Sequence, residues 1–177
     1  FYNTLKVLKK SCVSLSGFID LAVVTESSQI SEIASNKNIK VLNSSKIKTL
    51  SEILNFSADW AYQNSYSKLC IIPADLVNPK ESDFKSLLSF QLKLNTMVIS
   101  PSKDLGTNAL LISPVNGIKF NYGPKSFLKH QEIAKRKGLS LILMPLPSFY
   151  FDLDTSDDLE EVLIKYPNFL DNKIKNA

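Results

Sequence analysis

Short unbroken apolar runs alternate with segments whose apolar residues return at helical spacing, and this alternation is what most constrains the fold of the chain. Ile19 to Thr25 is a β-branched run ending in polar residues, and Ser27 to Ala34 follows with the pattern of a short capped helix. Lys40-Val41-Leu42 offers a short strand, Leu50 to Tyr62 a helix, and Lys68-Leu69-Cys70-Ile71-Ile72-Pro73 a continuous apolar strand. Runs without polar alternation belong to strands covered on both faces, as in parallel sheets. Pro79 opens a helix predicted to reach Leu94, and Thr96 to Ile99 is a strand followed by the turn-rich Ser100 to Gly106. A strand over Ala109 to Ile112, a helix from Ser126 to Lys137, strands over Leu139 to Met144 and Phe149 to Leu153, and a helix from Ser156 complete the series. The expected architecture is α/β: a mixed, mainly parallel sheet with helices on both faces.

A chain of 177 residues fits one domain, residues 1–177, with no internal repeat or linker. The net charge of +4 suits an anionic ligand, but the lysines are scattered, which argues against nucleic acid as a partner. Arg136 is the only arginine, so a phosphate site must rest on backbone N–H groups, hydroxyls, lysine or metal. Cys12 and Cys70 have no paired spacing and point to a reducing cytoplasm. The apolar stretches are strand-sized, far short of the roughly 20 residues that span a bilayer, and no membrane partner is expected. Phe1, Leu5, Leu8 and Cys12 recur at helical spacing with no capping residue ahead of them, as if the chain began inside a helix. Trp60 and Phe56, four apart, read as core positions of an amphipathic helix.

Ligands of α/β sheets sit beyond the carboxyl ends of strands. In Ile71-Ile72-Pro73-Ala74-Asp75-Leu76 a buried strand delivers Asp75 to the sheet edge, where it either holds a divalent cation or caps a turn. In Phe151-Asp152-Leu153-Asp154-Thr155, period-two geometry puts Asp152 and Asp154 on one face, and paired hard oxygens favour Mg²⁺; the other reading is that Asp154 or Thr155 caps the next helix, and both are expected, with Asp152 and Asp154 at the metal and Thr155 or Ser156 beginning the helix. Gly106-Thr107-Asn108-Ala109 and Tyr122-Gly123-Pro124-Lys125-Ser126-Phe127 form a third place. There helix-start N–H groups, the Ser126 hydroxyl and Lys125 suit phosphate or carboxylate, while a plain turn and N-cap explain the same residues.

Three ordered segments carry a resemblance: Ser100 to Leu111 with its Gly-Thr-Asn-Ala, Phe120 to His130 with its Gly-x-x-Ser-Phe-x-x-His, and Asp152-Leu153-Asp154-Thr155 followed by Asp158-Leu159. Together they resemble the CofC/FbiD family, the 2-phospho-L-lactate or phosphoenolpyruvate guanylyltransferases of coenzyme F-420 biosynthesis. The resemblance implies a Rossmann-like nucleotidyltransferase fold of the GT-A-like kind. It also implies that Thr107, Gly123 and Ser126 contact the phosphorylated acid, and that Asp75, Asp152 and Asp154 form the acidic, Mg²⁺- and nucleotide-binding region that carries catalysis. Val77 stands where the family usually has proline. The opening strand and the basic loop expected to hold the GTP phosphates are absent from the sequence, an N-terminal truncation relative to the family.

The partners implied are GTP and a small phosphorylated acid, with a homodimer possible. His130, four residues after Ser126, reads as a structural rather than a catalytic histidine. Two rival readings stand beside the guanylyltransferase: another nucleotidyltransferase of the same fold, and a non-catalytic binding module.

Overall fold

A computed structural model describes residues 1–15, 17–44, 47, 49–150 and 156–167. The order of elements is α1 (Tyr2–Val13), β1 (Ala22–Thr25), α2 (Ser28–Ser35), β2 (Lys40–Asn43), α3 (Leu50–Gln63), β3 (Leu69–Ile71), α4 (Glu81–Leu88), β4 (Thr96–Pro101), β5 (Thr107–Ser113), α5 (Ser126–Lys137), β6 (Ser140–Leu143), a single 3-10 turn (Pro147–Phe149) and α6 (Ser156–Lys165). The alternation predicted from the sequence is present. Its local causes are visible at helix ends: Ser27 caps α2 by accepting from the Ile30 N–H, and Thr49 with Glu52 forms a reciprocal capping box at α3. Gly138 closes α5 in the left-handed conformation.

Among the described residues the strands form two sheets. β1 and β2 pair in parallel, and a four-stranded sheet runs in the order β3-β5-β4-β6. In the larger sheet β4 and β6 are parallel, whereas β5 is antiparallel to both β3 and β4. The direction of β5 follows from chain length. Only residues 102–106 separate it from β4, and a parallel return needs a crossover of about a dozen residues or more.

Pleating divides the side chains of the larger sheet between two layers. Met97, Ile99, Leu110 and Ile112 face α3 and α5, packing with Leu54, Ala58, Phe127 and Ala134. Val98, Ala109 and Leu111 face the other way, onto Phe84 and Leu87 of α4 and onto Phe149, with Val7 and Leu8 of α1 packed alongside. The register joins like with like, Met97 opposite Ile112 and Val98 opposite Leu111. A third, smaller cluster of Leu5, Ala34 and Ile39 lies with Val23 and Val41 of the smaller sheet.

Three expectations change. Phe149, expected to open a strand reaching Leu153, ends the 3-10 turn Pro147–Phe149, and residues 151–153 lie outside the described residues. The helix predicted to run to Leu94 stops at Leu88; beyond it the chain turns, and Leu92 is buried against the same cluster as Phe84 and Leu87. Phe56, expected in the core, is 40% exposed, while Trp60 is half-buried and stacks on Tyr66 at 5.8 Å.

Candidate functional site

The pairing directions gather chain ends at one edge of the larger sheet. β4 and β6 are parallel, so Pro101 and Leu143 leave it together, and because β5 runs against β3 and β4, its first residue, Thr107, lies at the same edge as the end of β3 at Ile71. Asp75, four residues beyond Ile71, follows β3 off this edge and is exposed.

A β-bulge then aims the polar residues. Ser100 pairs with Ala109, but the next residue, Pro101, pairs with Thr107, so Asn108 is passed over. Regular pleating would place Thr107 on the α1/α4 face with Ala109 and Leu111. With the extra residue, the Asn108 side chain goes to that face and donates from Nδ2 to the Phe149 carbonyl at 2.8 Å, and Thr107 turns toward α5.

At α5 three side chains meet. The Ser126 hydroxyl donates to Thr107 Oγ1 at 3.1 Å, and His130 Nδ1 lies 3.0 Å from the same oxygen. Thr107 is 7% exposed, Ser126 2% and His130 0%. The Asn121 N–H reaches His130 Nε2 at 3.2 Å, and the Tyr122 ring stands edge-on to the imidazole at 4.9 Å. Burial first, and the nearby Lys129 charge second, pull the His130 pKa down to about 4, so the ring is neutral at neutral pH.

The loop that carries Gly123 is held by α3. Ser51 Oγ accepts from the Tyr122 N–H at 2.9 Å, and Asn55 Oδ1 accepts from the Phe120 N–H at 2.9 Å. Gly123 sits at φ 110, a region that residues with a Cβ rarely adopt, and the Lys129 ammonium nitrogen lies 3.9 Å from where a Cβ there would stand. Lys125, at φ 54, precedes the helix. Among the described residues neither Lys125 nor Lys129 forms an ion pair with a carboxylate.

The helix-start amides do not have the role expected of them. The Ser126 N–H donates to the Gly123 carbonyl and the Phe127 N–H to the Leu105 carbonyl, each at 3.0 Å. Ser126 is not the N-cap either: its hydroxyl points to Thr107, and Lys125 occupies the cap position without a side-chain cap bond. Those two amides are therefore already bonded within the protein.

Of the residues singled out from the sequence, Thr107 and Ser126 are in contact, Gly123 begins the turn into the same helix, and Asp75 stands at the shared edge. Asp152 and Asp154 lie outside the described residues. The chain leading to them is anchored at several points: the Leu146 N–H donates to Ser100 Oγ at 3.2 Å, the Ser148 N–H to Asp83 Oδ2 at 2.9 Å, and the Lys103 N–H to the Tyr150 carbonyl at 3.0 Å. Lys103 also pairs through its side chain with Glu161 of α6. Asn108, Asp83, Ser51 and Asn55 are positioning residues that the sequence reading missed, since each partner lies far away along the chain.

The family profile described as "Guanylyl transferase CofC like" matches residues 3–170. The chain belongs to the CofC-like guanylyl transferase family. A 3-phospho-D-glycerate guanylyltransferase of Colwellia psychrerythraea is 37% identical over 140 residues, 79% of this chain and 66% of that protein. A 2-phospho-L-lactate guanylyltransferase of Methanocaldococcus jannaschii is 30% identical over 161 residues, covering 90% of this chain and 69% of the relative. A phosphoenolpyruvate guanylyltransferase of Rubrobacter xylanophilus is 36% identical over 100 residues, 56% of this chain and 49% of the relative. The match thus spans just under two thirds of the Colwellia relative and about half of the Rubrobacter one. Among solved structures, a Desulfovibrio desulfuricans protein provisionally described as a nucleotide-diphospho-sugar transferase superposes with a TM-score of 0.64 at 14% identity, over 93% of this chain and 72% of that one. A CMP:2-keto-3-deoxy-manno-octonic acid synthetase complexed with CTP gives 0.56 at 10%, over 93% of this chain and 88% of the other. The CofC-like chain therefore has a Rossmann-like nucleotidyltransferase fold, as the family resemblance implied; the strand and helix alternation implied only its α/β class.

Proposed function

We propose that this chain is part of a guanylyltransferase that moves GMP from GTP to a phosphorylated three-carbon acid and releases pyrophosphate, in the biosynthesis of coenzyme F-420. The observation that carries the reading is the meeting of the Thr107 and Ser126 hydroxyls at 3.1 Å beside Gly123, on the edge where Asp75 emerges, within a CofC-like family chain. The acids named for its relatives, 3-phospho-D-glycerate, 2-phospho-L-lactate and phosphoenolpyruvate, share a phosphate and a carboxylate, and the groups that would meet such anions in this reading are the two hydroxyls and the Lys129 ammonium near Gly123.

The reaction needs little proton chemistry. A phosphate oxygen of the acid attacks the α-phosphorus of GTP, the bond to the β-phosphate breaks, and pyrophosphate leaves. With a second pKa of about 6 that oxygen is already ionised at neutral pH, so no protein base is required. This agrees with a chain whose one histidine is buried and neutral.

The obstacle is repulsion between two polyanions. Asp75 brings an exposed carboxylate to the edge with no ion pair among the described residues, a hard-oxygen donor of the type Mg²⁺ prefers. Among the described residues no group of three or more metal-ligating side chains occurs, so Asp152 and Asp154 would complete the set. Bound there, Mg²⁺ supplies charge neutralisation and alignment for in-line displacement. The free thiols of Cys12 and Cys70 fit the reducing cytoplasm in which we place the reaction, and no helix among the described residues is long and apolar enough to cross a membrane.

The decisive assay measures pyrophosphate release by the full-length protein with Mg²⁺, with GTP, CTP or ATP, and with each of the three acids. Release with GTP and one of these acids, abolished in Asp154→Asn, is the expected result. Release with CTP or ATP in place of GTP would overturn the guanylyl assignment, and near-normal turnover by Asp154→Asn would overturn the metal assignment.

A further inference from the structure

The reaction just described leaves the one histidine of the chain without a task, and its surroundings supply one. His130 lies one turn along α5 from Ser126 and is fully buried. Its ring nitrogens have different neighbours: the Asn121 backbone N–H at Nε2, 3.2 Å away, and Thr107 Oγ1 at Nδ1, 3.0 Å away. A backbone amide can only donate, so Nε2 must present a lone pair and the ring proton must sit on Nδ1. Nδ1–H then donates to Thr107. A second ring proton would set N–H against N–H at Asn121, and burial already disfavours the charged ring.

The proton count across the trio fixes what it offers outward. Nδ1–H, the Thr107 hydroxyl and the Ser126 hydroxyl hold one proton each. Two of these are used inside, one from Nδ1 to Thr107 Oγ1 and one between the hydroxyls across 3.1 Å. Whichever way the hydroxyls turn, one O–H proton is left without an acceptor in the trio. With the opposite ring tautomer, Nδ1 would accept from Thr107 and Thr107 would accept from Ser126. The pair would then show only lone pairs to a ligand, and lone pairs repel an anion.

We propose that His130 is a positioning residue: held by the Asn121 amide with its proton on Nδ1, it makes the Thr107–Ser126 pair an outward donor to an anionic oxygen of the acceptor acid, without touching that acid. The inference rests on the reading that this edge takes a phosphorylated acid.

The test uses the full-length protein and two variants of opposite geometry. In His130→Asn the side-chain amide falls near the position of Nδ1 and can still donate to Thr107. In His130→Gln it falls near Nε2 and can still accept from Asn121, but the donor to Thr107 is lost. The hydroxyl pair keeps its spare proton in this variant, but with no donor holding Thr107 Oγ1 that proton is no longer aimed at the charged oxygen, so the Gln variant is expected to raise KM for the acid about tenfold. Its KM for GTP stays unchanged, and the Asn variant keeps the acid KM within about threefold of the wild type. Nitrogen NMR of labelled histidine is expected to show Nδ1 protonated and Nε2 bare down to about pH 5.

A merely structural histidine predicts instead that both variants lose acid and GTP affinity together, in step with thermal stability; that result overturns the proposal. So does an Nε2-protonated ring. Normal wild-type turnover with an unchanged acid KM in His130→Gln overturns the role of His130 alone. A wild type that uses none of the three acids overturns the functional reading, and this inference with it.

Discussion

Asn108 Nδ2 donates to the Phe149 carbonyl at 2.8 Å across the buried face of the larger sheet, tying β5 to the turn that precedes residues 151–155. Asn108 is 4% exposed, so no water replaces the donor when it is removed. Asn108→Ala is therefore expected to cost about 1–3 kcal/mol, the penalty for a buried acceptor left unsatisfied together with lost packing. Urea unfolding measures the cost. Pyrophosphate release should fall by more than the folded fraction does, because Asp152 and Asp154 follow directly on the anchored turn.

Gly123 at φ 110 is the second sensitive position. Space is not the difficulty, since an added Cβ would meet only the Lys129 ammonium at ordinary contact distance. Strain is. Gly123→Ala is expected to lower stability by about 1–3 kcal/mol, or to shift the loop that Ser51 and Asn55 hold. Thermal unfolding reads the first outcome, and a raised KM for the acid at unchanged KM for GTP reads the second.

His130 makes stability depend on pH in a defined direction. Its folded pKa of about 4 lies below the ordinary 6.5, so between these values the unfolded chain binds more protons. The contribution is complete above about pH 6.5 and is lost as pH falls toward about 4, on the order of 3 kcal/mol in all. Urea unfolding of the wild type against His130→Gln over this window should show the slope only in the wild type. Equal slopes would refute the assignment. Carboxylates titrating in the same range contribute to both proteins and cancel.

Asp75 separates metal chemistry from folding. It is exposed and outside the core clusters, so Asp75→Asn is expected to leave stability within about 0.5 kcal/mol of the wild type. Loss of several kcal/mol of transition-state charge stabilisation should slow Mg²⁺-dependent release about a hundredfold or more. Removing the ion with chelator should bring the wild type down to the level of the variant. A variant as fast as the wild type would remove Asp75 from the metal.

Helix α5 was legible from the sequence almost to the residue, because an amphipathic stretch between Pro124 and Gly138 has both boundaries written into it. The end of α4 was not, because Phe90 and Leu92 continue the apolar spacing while a turned chain half-buries the first and buries the second. The antiparallel direction of β5 was not read from the sequence, which was taken to specify a mainly parallel sheet, because the deciding signal was the short connection after Pro101 rather than side-chain pattern. At the candidate site the motifs named Thr107, Gly123 and Ser126. They could not reveal that Ser126 points inward to Thr107, or that Asn55 and Asp83 hold the surrounding loops, since those partners lie 65 residues away. Local pattern carries no information at that range.

The skipped pairing at Asn108 gives the site a particular vulnerability. One surplus residue exchanges the faces that Thr107 and Asn108 would take in an even strand, so chain length between Pro101 and Ala109 governs the chemistry of this rim as much as residue identity does. Removing Asn108 itself would keep the threonine facing α5 and delete the tie to Phe149, whereas shortening the 102–106 loop by one, with Asn108 drawn opposite Pro101, would carry the threonine away from α5 and strand the serine and imidazole without their shared oxygen. Deletions here should be far more damaging than substitutions of similar size.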